Sequence, residues 1–300
     1  MIILLEIIVP ATSANIGPGF DTLGLALNIY NKFYITEINE GLEIIGCDDK
    51  YKNEDNLVYK SIQYFYKKVK PHKNLCGLKI EIVNDIPICR GLGSSATCIV
   101  AGILAANILS ESNLSKHELL KIATEIEGHP DNIAPALFGN LVVSIMENND
   151  VYYDIIDFPE DLSFCALIPD FELSTSLSRD VLPKKIKFSD GVYNLSRSSL
   201  LISSIMNRNF DLIKFACKDK LHQDYRGPLI NNYDDIVNES INLGSLGVFL
   251  SGAGPTILCI IKDADNTFIN DIKSFISTID SKWEVKHIKC DKRGSIVNIL

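Results

Sequence analysis

Apolar and polar positions change period several times along the chain, and each change marks an element. Residues 2–9 form an apolar run broken by Glu6, which predicts a core strand ending at Pro10, since proline offers no donor to a ladder. Leu25 to Ile38 is rich in strand formers, and Glu40-Gly41 turns into a short strand, Leu42 to Ile45. From Asp55 to Val69 the spacing becomes helical, with Leu57, Val58, Ile62, Phe65 and Val69 on one broad face. Leu78 to Val83 alternates as a strand. Cys98 to Leu109 has no charge and no proline, so it reads as a helix buried on all sides. Ser115-Lys-His-Glu118 is a capping box opening an amphipathic helix through about Glu127, with Gly128 and Pro130 as stop signals.

Leu141 to Met146 and Val151 to Ile156 then predict a strand pair around the turn Glu147 to Asp150. Phe158 to Asp161 reads as a short linker, dividing the chain into units 1–157 and 158–300. Beyond it come a strand at Phe164 to Ile168 and helical stretches around 175–181, 192–206, 209–219 and 231–242. A strand from Gly247 to Leu250, another reaching Ile261, a helix near 265–279 and a final strand, Trp283 to Ile288, complete the order. This order suggests α+β layers with helices packed on a sheet face.

Composition narrows the class. With 300 residues, 46% hydrophobic and 22% charged, the chain resembles an ordinary soluble protein of one or two domains. A net charge of −9 without a lysine/arginine cluster argues against nucleic-acid binding, so an anionic ligand must be met by local groups. The eight cysteines include no C-x-x-C pair, and Cys98, Cys165 and Cys259 fall in apolar runs. Read as reduced thiols, and with no basic flank before the short apolar N-terminus, they predict a cytoplasmic protein. No uncharged run approaches the roughly 18 residues of a membrane span.

The chemistry centres on the stretch Pro87, Ile88, Cys89, Arg90, Gly91, Leu92, Gly93, Ser94, Ser95, Ala96 and Thr97, between a strand and the buried helix. Such a loop suits phosphate. First-turn amides are unpaired, the helix dipole adds positive charge, and glycine lets backbone approach an anion. Ser94 and Ser95 add hydroxyls for phosphate or a metal ion. The stretch is not a Walker A loop, because Gly-Lys-Ser/Thr occurs nowhere in the chain. Gly91 to Ala96 fits the degenerate dinucleotide pattern, yet the acid nearest the required distance, Glu111, lies in a polar turn. A tight turn without a ligand is the third reading.

Other candidates are scattered. Glu127 offers a carboxylate at a helix end, where most glutamates are simply solvated. His129 offers a substrate or metal contact, but no second histidine stands at zinc spacing. Asn15 and Asp21 occupy a small-residue loop, where a turn or cap competes with a functional role. Arg179 and Arg226, alone, read as surface ion-pair partners. Taken with Asp21 they suit a small zwitterion: a carboxylate for its ammonium, guanidinium forks for its carboxylate.

Three motifs stand in order: Pro10-Ala-Thr-Ser-Ala-Asn-Ile-Gly-Pro-Gly-Phe-Asp21, Pro87 to Thr97, and Ser251-Gly-Ala-Gly-Pro-Thr256. Together they resemble the GHMP kinase superfamily. Glu127-Gly-His-Pro-Asp-Asn-Ile-Ala-Pro135, Ser176 to Pro183 and His222-Gln-Asp-Tyr-Arg-Gly-Pro228 extend the likeness, over the full length, to its homoserine kinase branch. The resemblance implies a two-lobed α+β fold, with an N-terminal ATP-binding domain like ribosomal protein S5 domain 2 and a ferredoxin-like C-terminal domain. It implies phosphorylation of the side-chain hydroxyl of L-homoserine, dependent on ATP and Mg2+, on the way to threonine. It allows a homodimer and calls for no nucleic acid or membrane.

By position, the resemblance has Pro87 to Thr97 wrapping the ATP phosphates, Asn56 near the adenine, and Ser95 and Glu127 on magnesium. Asn15, Asp21, His129, Arg179 and Arg226 would form the homoserine site, Asp21 facing the ammonium and the arginines the carboxylate. Ser251 to Thr256 would floor the cleft. The catalytic set implied is Ser95, Glu127, Asp131 and Asn132, with the base unassigned. Transfer is expected to depend on positioning and charge stabilisation, with little general-base help. Arg90 would either touch phosphate or point to solvent, the latter being expected. Two competing readings are a kinase for another small molecule such as mevalonate, and a silent sensor of the same fold. The sensor would be expected to lack Glu127 or the paired serines, and both are present.

Overall fold

The computed structural model describes residues 3–263 and 265–300; Ile2, expected to open the first strand, lies outside them. That strand, β1 (Leu4–Ala14), does not stop at Pro10. It continues through the polar residues to Ala14, and Pro10 sits where the ladder with β2 (Leu23–Ile38) shifts register. A missing N–H costs little at such an irregularity. After β3 (Leu42–Ile45) come α1 (Leu57–Val69) and β4 (Gly77–Asn84), close to the expected bounds.

The buried helix begins earlier than expected. α2 spans Ser94–Leu109, so the last residues of the glycine-rich stretch are its first turn, with Gly93 as a left-handed N-cap. α3 (Lys116–Glu127) has the capping box at Ser115 and ends on left-handed Gly128. Pro130, expected only as a stop, instead starts a further helix, α4 (Pro130–Phe138). Proline is tolerated there because the first-turn N–H has no helical acceptor in any case.

β5 (Leu141–Glu147) and β6 (Asp150–Ile156) form the expected hairpin, its turn made by Asn148 and Asn149 at positive φ. β7 (Leu162–Pro169) leads to α5 (Thr175–Asp180) and the long α6 (Phe188–Met206). Short helices α7 (Ile213–Ala216) and α8 (Gln223–Arg226) precede α9 (Tyr233–Asn242), β8 (Gly247–Leu250) and β9 (Ile257–Lys262). α10 (Asn266–Ile276), β10 (Trp283–Ile288) and β11 (Ile296–Ile299) complete the chain. Trp283 to Ile288 is therefore not the last strand.

Two sheets result. The larger has the order β11-β1-β2-β4-β3, with β5 added to β2 and β6 to β5; the smaller has the order β10-β7-β9-β8. β11 pairs antiparallel with β1, so both ends of the chain meet in the larger sheet. One core joins that sheet to the first four helices, with Phe33, Ile62, Phe65, Val100 and Leu120 buried together. β7 is buried along its whole length, and its alternate residues serve two other cores. Phe164 and Ala166 face a core shared with Leu25 of the larger sheet, while Cys165 and Leu167 face one shared with Ile272 of α10. The α2 N-terminus, the α3–α4 junction, α5 and the turn after β8 converge where the sheets meet.

Candidate active site

One cavity of about 300 Å³ runs through this convergence, and its two ends are built differently. The first end is lined by Tyr51, Asn56, Leu57, Ile82 and the stretch from Ile88 to Ser95. Four successive carbonyls of that stretch are tied outward. Cys89 O accepts from Leu173 N at 3.2 Å, Arg90 O from Thr256 N at 3.3 Å and Leu92 O from Thr12 N at 3.1 Å. Gly91 O accepts from Ser251 Oγ at 2.6 Å. Among the described residues, nothing in the protein accepts from the backbone N–H groups of residues 91–96. Free donors in a row at a helix N-terminus can serve as an anion cradle.

Glycine is required twice in it. A Cβ on Gly93 (φ 67°) would lie 1.9 Å from Thr12 Oγ1, and one on Gly91 (φ 74°) 2.3 Å from Ser251 O. No lysine lines the cavity among the described residues. Arg90 neither reaches the cavity interior with a free fork nor points to solvent, as had been expected. Its guanidinium donates to Pro169 O (2.9 Å), Ile88 O (3.0 Å) and Asp170 O (2.7 Å), clamping the loop to the end of β7.

Asn56 is the N-cap of α1. Its Oδ1 accepts from Val58 N and Tyr59 N, and its Nδ2 donates to Tyr51 O, so it faces the cavity with its polar atoms already engaged. Farther in, Ser95 Oγ donates to Glu127 Oε1 at 3.2 Å. Burial raises the Glu127 carboxyl above its ordinary value, against the opposing pull of His129 and Ser95. It is a half-buried helix-end glutamate rather than a solvated one.

At the other end, charged side chains hold one another. Asp21 and Arg179 form a two-point ion pair, with contacts of 3.1 and 3.3 Å. Arg226, 2% exposed, donates from Nε to Ser178 O and from Nη1 to Gly252 O, each at 3.0 Å. Burial, and then the Arg179 charge, pull it down to about 10, which still leaves it cationic near neutrality. Both guanidiniums lie within 6 Å of the Phe20 ring, at 5.9 and 5.3 Å.

Asn15 is held in left-handed backbone, donating to Gly252 O at 2.8 Å and accepting from Asp21 N at 3.0 Å. His129 Nδ1 meets the buried Asp131 Oδ1 at 2.5 Å. Burial lowers the His129 pKa, but the Asp131 hydrogen bond and charge, with Glu127 and Asp21, outweigh it and leave a net rise. Asn132 Oδ1 accepts from Thr12 Oγ1 at 2.8 Å, which leaves its amide nitrogen as a donor on the cavity side.

Family models match the chain twice: GHMP kinases N terminal domain over residues 56–140, and GHMP kinases C terminal over residues 197–276. Homoserine kinase of Clostridium botulinum (strain Kyoto / Type A2) is 54% identical over 98% of this chain and 99% of its own length. The chain belongs to the homoserine kinase family of the GHMP kinases. The Eklund 17B / Type B strain of Clostridium botulinum has a homoserine kinase 48% identical over 98% of both chains. The crystal structure of homoserine kinase from Cytophaga hutchinsonii superposes with a TM-score of 0.88 at 27% identity, over 98% of this chain and 97% of that one. Mevalonate diphosphate decarboxylase from Enterococcus faecalis shares the fold alone, with a TM-score of 0.73 at 16% identity over the whole of both chains.

This GHMP kinase is an ATP-dependent enzyme acting on a hydroxyl group, and its two-domain α+β fold is that of the superfamily. No helix among the described residues is long and apolar enough to cross a membrane. All the acceptor-end residues expected from the motifs, Asn15, Asp21, His129, Arg179 and Arg226, line the one cavity, with Glu127, Asp131 and Asn132. Pro87, Ala96 and Thr97 do not. Thr97 is buried behind the loop, bonded to Ser94 O and Asn31 Nδ2. Asn31 was missed by sequence reasoning, although its Oδ1 also holds the amides of Asp85 and Ile86 at the loop entrance. Nothing in a strand-embedded asparagine announces that task. Thr12 was passed over too, although it lies inside the first motif.

Proposed function

We propose that this kinase transfers the γ-phosphoryl group of ATP to the side-chain hydroxyl of L-homoserine. The observation that carries the reading is the shared cavity. An amide cradle for phosphate opens directly onto an Asp21/Arg179/Arg226 set matched to an α-amino acid. The cradle residues 91–96 would hold the nucleotide phosphates, with Asn56 shaping the wall near the base. Asp21 would take the substrate ammonium, and Arg179 and Arg226 its carboxylate. The exposed Asp21–Arg179 pair is worth at most about 1 kcal/mol. A zwitterion bringing both opposite charges therefore displaces it at small cost.

Ser95 Oγ and Glu127 Oε1 are hard oxygen donors side by side, the donor type Mg2+ prefers, and among the described residues no cationic group forms an ion pair with the half-buried carboxylate. Ser95 and Glu127 would hold Mg2+, which would supply positive charge against the phosphates. Asn132 would orient the acceptor hydroxyl through its amide. Asp131 is engaged by His129, whose raised pKa keeps the imidazole charged to higher pH than a free histidine. A charged imidazole cannot accept the hydroxyl proton. It would stabilise the oxygens of the transferring group instead. The acceptor oxygen would bond to the γ-phosphorus as the bond to ADP breaks, and the hydroxyl proton would pass to an oxygen of the transferred phosphoryl group. Catalysis thus rests on position and charge.

The test is ADP release from Mg-ATP with L-homoserine, L-threonine, L-serine, mevalonate or galactose as acceptor. Release dependent on L-homoserine, with its phosphate ester identified by mass, is expected. Preference for mevalonate or a sugar would reassign Asp21, Arg179 and Arg226. ATP binding without release would favour the sensor reading.

A further inference from the structure

His222 belongs to none of the roles above; it is fully buried behind the acceptor end, in contact with Arg226 and the 15–21 loop rather than lining the cavity. Its Nε2 is 2.8 Å from Gly17 O, on the loop that carries Asn15 and Asp21. A carbonyl only accepts, so the proton is on Nε2. Nδ1 is then a lone pair, and it faces Arg226 Nη1 at 3.4 Å. The ring also lies against Phe20, with centroids 5.4 Å apart, on the aromatic that both cavity arginines flank.

The charged groups acting on the imidazole include Arg226, Asp21 and Asp219, whose Oδ2 is 3.7 Å from Nε2. The Asp219 carboxylate is already occupied. It accepts from the amides of Leu221, His222 and Gln223 and from Asn194 Nδ2, which itself donates to Pro18 O. The segment 219–226 thus grips the 15–21 loop from behind, and His222 is where that grip meets Arg226.

Resting on the homoserine reading above, we propose that His222 is the positioning residue of the acceptor end. As a neutral Nε2–H imidazole it links the Gly17 carbonyl to the Arg226 guanidinium and so sets where the substrate carboxylate is held. A doubly protonated ring would turn an N–H toward a guanidinium inside the protein. Burial, the largest influence, lowers the His222 pKa against the pull of the Asp219 charge, and the net lowering favours the neutral ring.

The experiment compares H222L and H222Q with the unsubstituted enzyme. H222L is expected to raise KM for L-homoserine about 30- to 100-fold, the scale of a lost bond to a charged group, with KM for Mg-ATP within about threefold. Glutamine supplies both a donor and an acceptor, so H222Q is expected to return KM to within about fivefold. 3-Aminopropan-1-ol, which is homoserine without its carboxylate, serves as competitive inhibitor. Its inhibition constant is expected to change less than about threefold in H222L, because the group His222 serves is missing from it. If H222L does not fold, H222N takes its place in the same comparison. Equal weakening of L-homoserine and 3-aminopropan-1-ol, equal change in both KM values, or failure of H222Q to restore would overturn the proposal. Absence of turnover with L-homoserine in the unsubstituted enzyme would be a different result: it would remove the homoserine reading itself.

Discussion

The two ends of the cavity meet charge by opposite means. The proposed nucleotide end is main chain: amides of residues 91–96 left open at the α2 N-terminus, carbonyls tied outward, and two glycines at which a Cβ would clash. The acceptor end is side chain: Asp21 on Arg179, His129 on Asp131, and Arg226 on backbone carbonyls. A backbone cradle is built when the protein folds and then stays as it is. A set of paired side chains can exchange partners when a ligand arrives. The same fold can therefore hold one nucleotide and be adapted to different acceptors by a few substitutions at one end.

Glu127 lies between the ends, and replacing it should produce the largest effect. E127Q is expected to lower kcat about 10³-fold while leaving Tm unchanged or raised. The sign follows from its raised pKa: the charged form is disfavoured in the fold, so removing it relieves a cost above the ordinary carboxylate range. A clear loss of Tm would contradict this. G93A should break the nucleotide end alone, raising KM for Mg-ATP about 100-fold through steric conflict with Thr12 and strain at positive φ. Calorimetric affinity for L-homoserine should hold if the protein remains folded.

R179A should do the reverse. KM for L-homoserine rises about 30- to 100-fold, KM for Mg-ATP stays within about threefold, and Tm barely moves because the pair is exposed. D131N should cost about tenfold in turnover by releasing His129; a loss beyond about 10³-fold at unchanged binding would instead make Asp131 the base. The pH profile sharpens this. The raised His129 pKa means that its stabilising contribution is complete below the ordinary histidine value and is lost as pH rises through the folded one. Activity should fall along the same limb, and D131N should shift that limb to lower pH. R90A is the smallest case, raising KM for Mg-ATP about fivefold by loosening the loop from β7, with L-homoserine unaffected.

Local signals in the sequence read well. Periods of two and 3.6, the capping box at Ser115 and the uncharged α2 each arise from neighbours in the chain. α4 was hidden because Pro130 and Pro135 resemble stops unless the first is recognised as an opening residue. β11 is short, half exposed and defined only by its pairing with β1, far away in sequence. The candidate site was legible as a set of residues in motifs, but not as a set of pairs. Asp21 finds Arg179 across 158 positions, and Arg90 finds Pro169 across 79. Their pairings depend on tertiary packing, so Arg90, expected to face solvent, proved to be a clamp, and Asp21, expected to face an ammonium, stands in an ion pair with Arg179.

The claim that the acceptor end works by exchange of charge partners has a direct test. It is kcat/KM for the unsubstituted enzyme and D21N on L-homoserine and on 4-hydroxybutanoate, which keeps the hydroxyl and carboxylate but has no ammonium. The account predicts a loss of about 100-fold for D21N on L-homoserine and a change of less than about threefold on 4-hydroxybutanoate. Equal losses on both substrates, or no loss on L-homoserine, would contradict it.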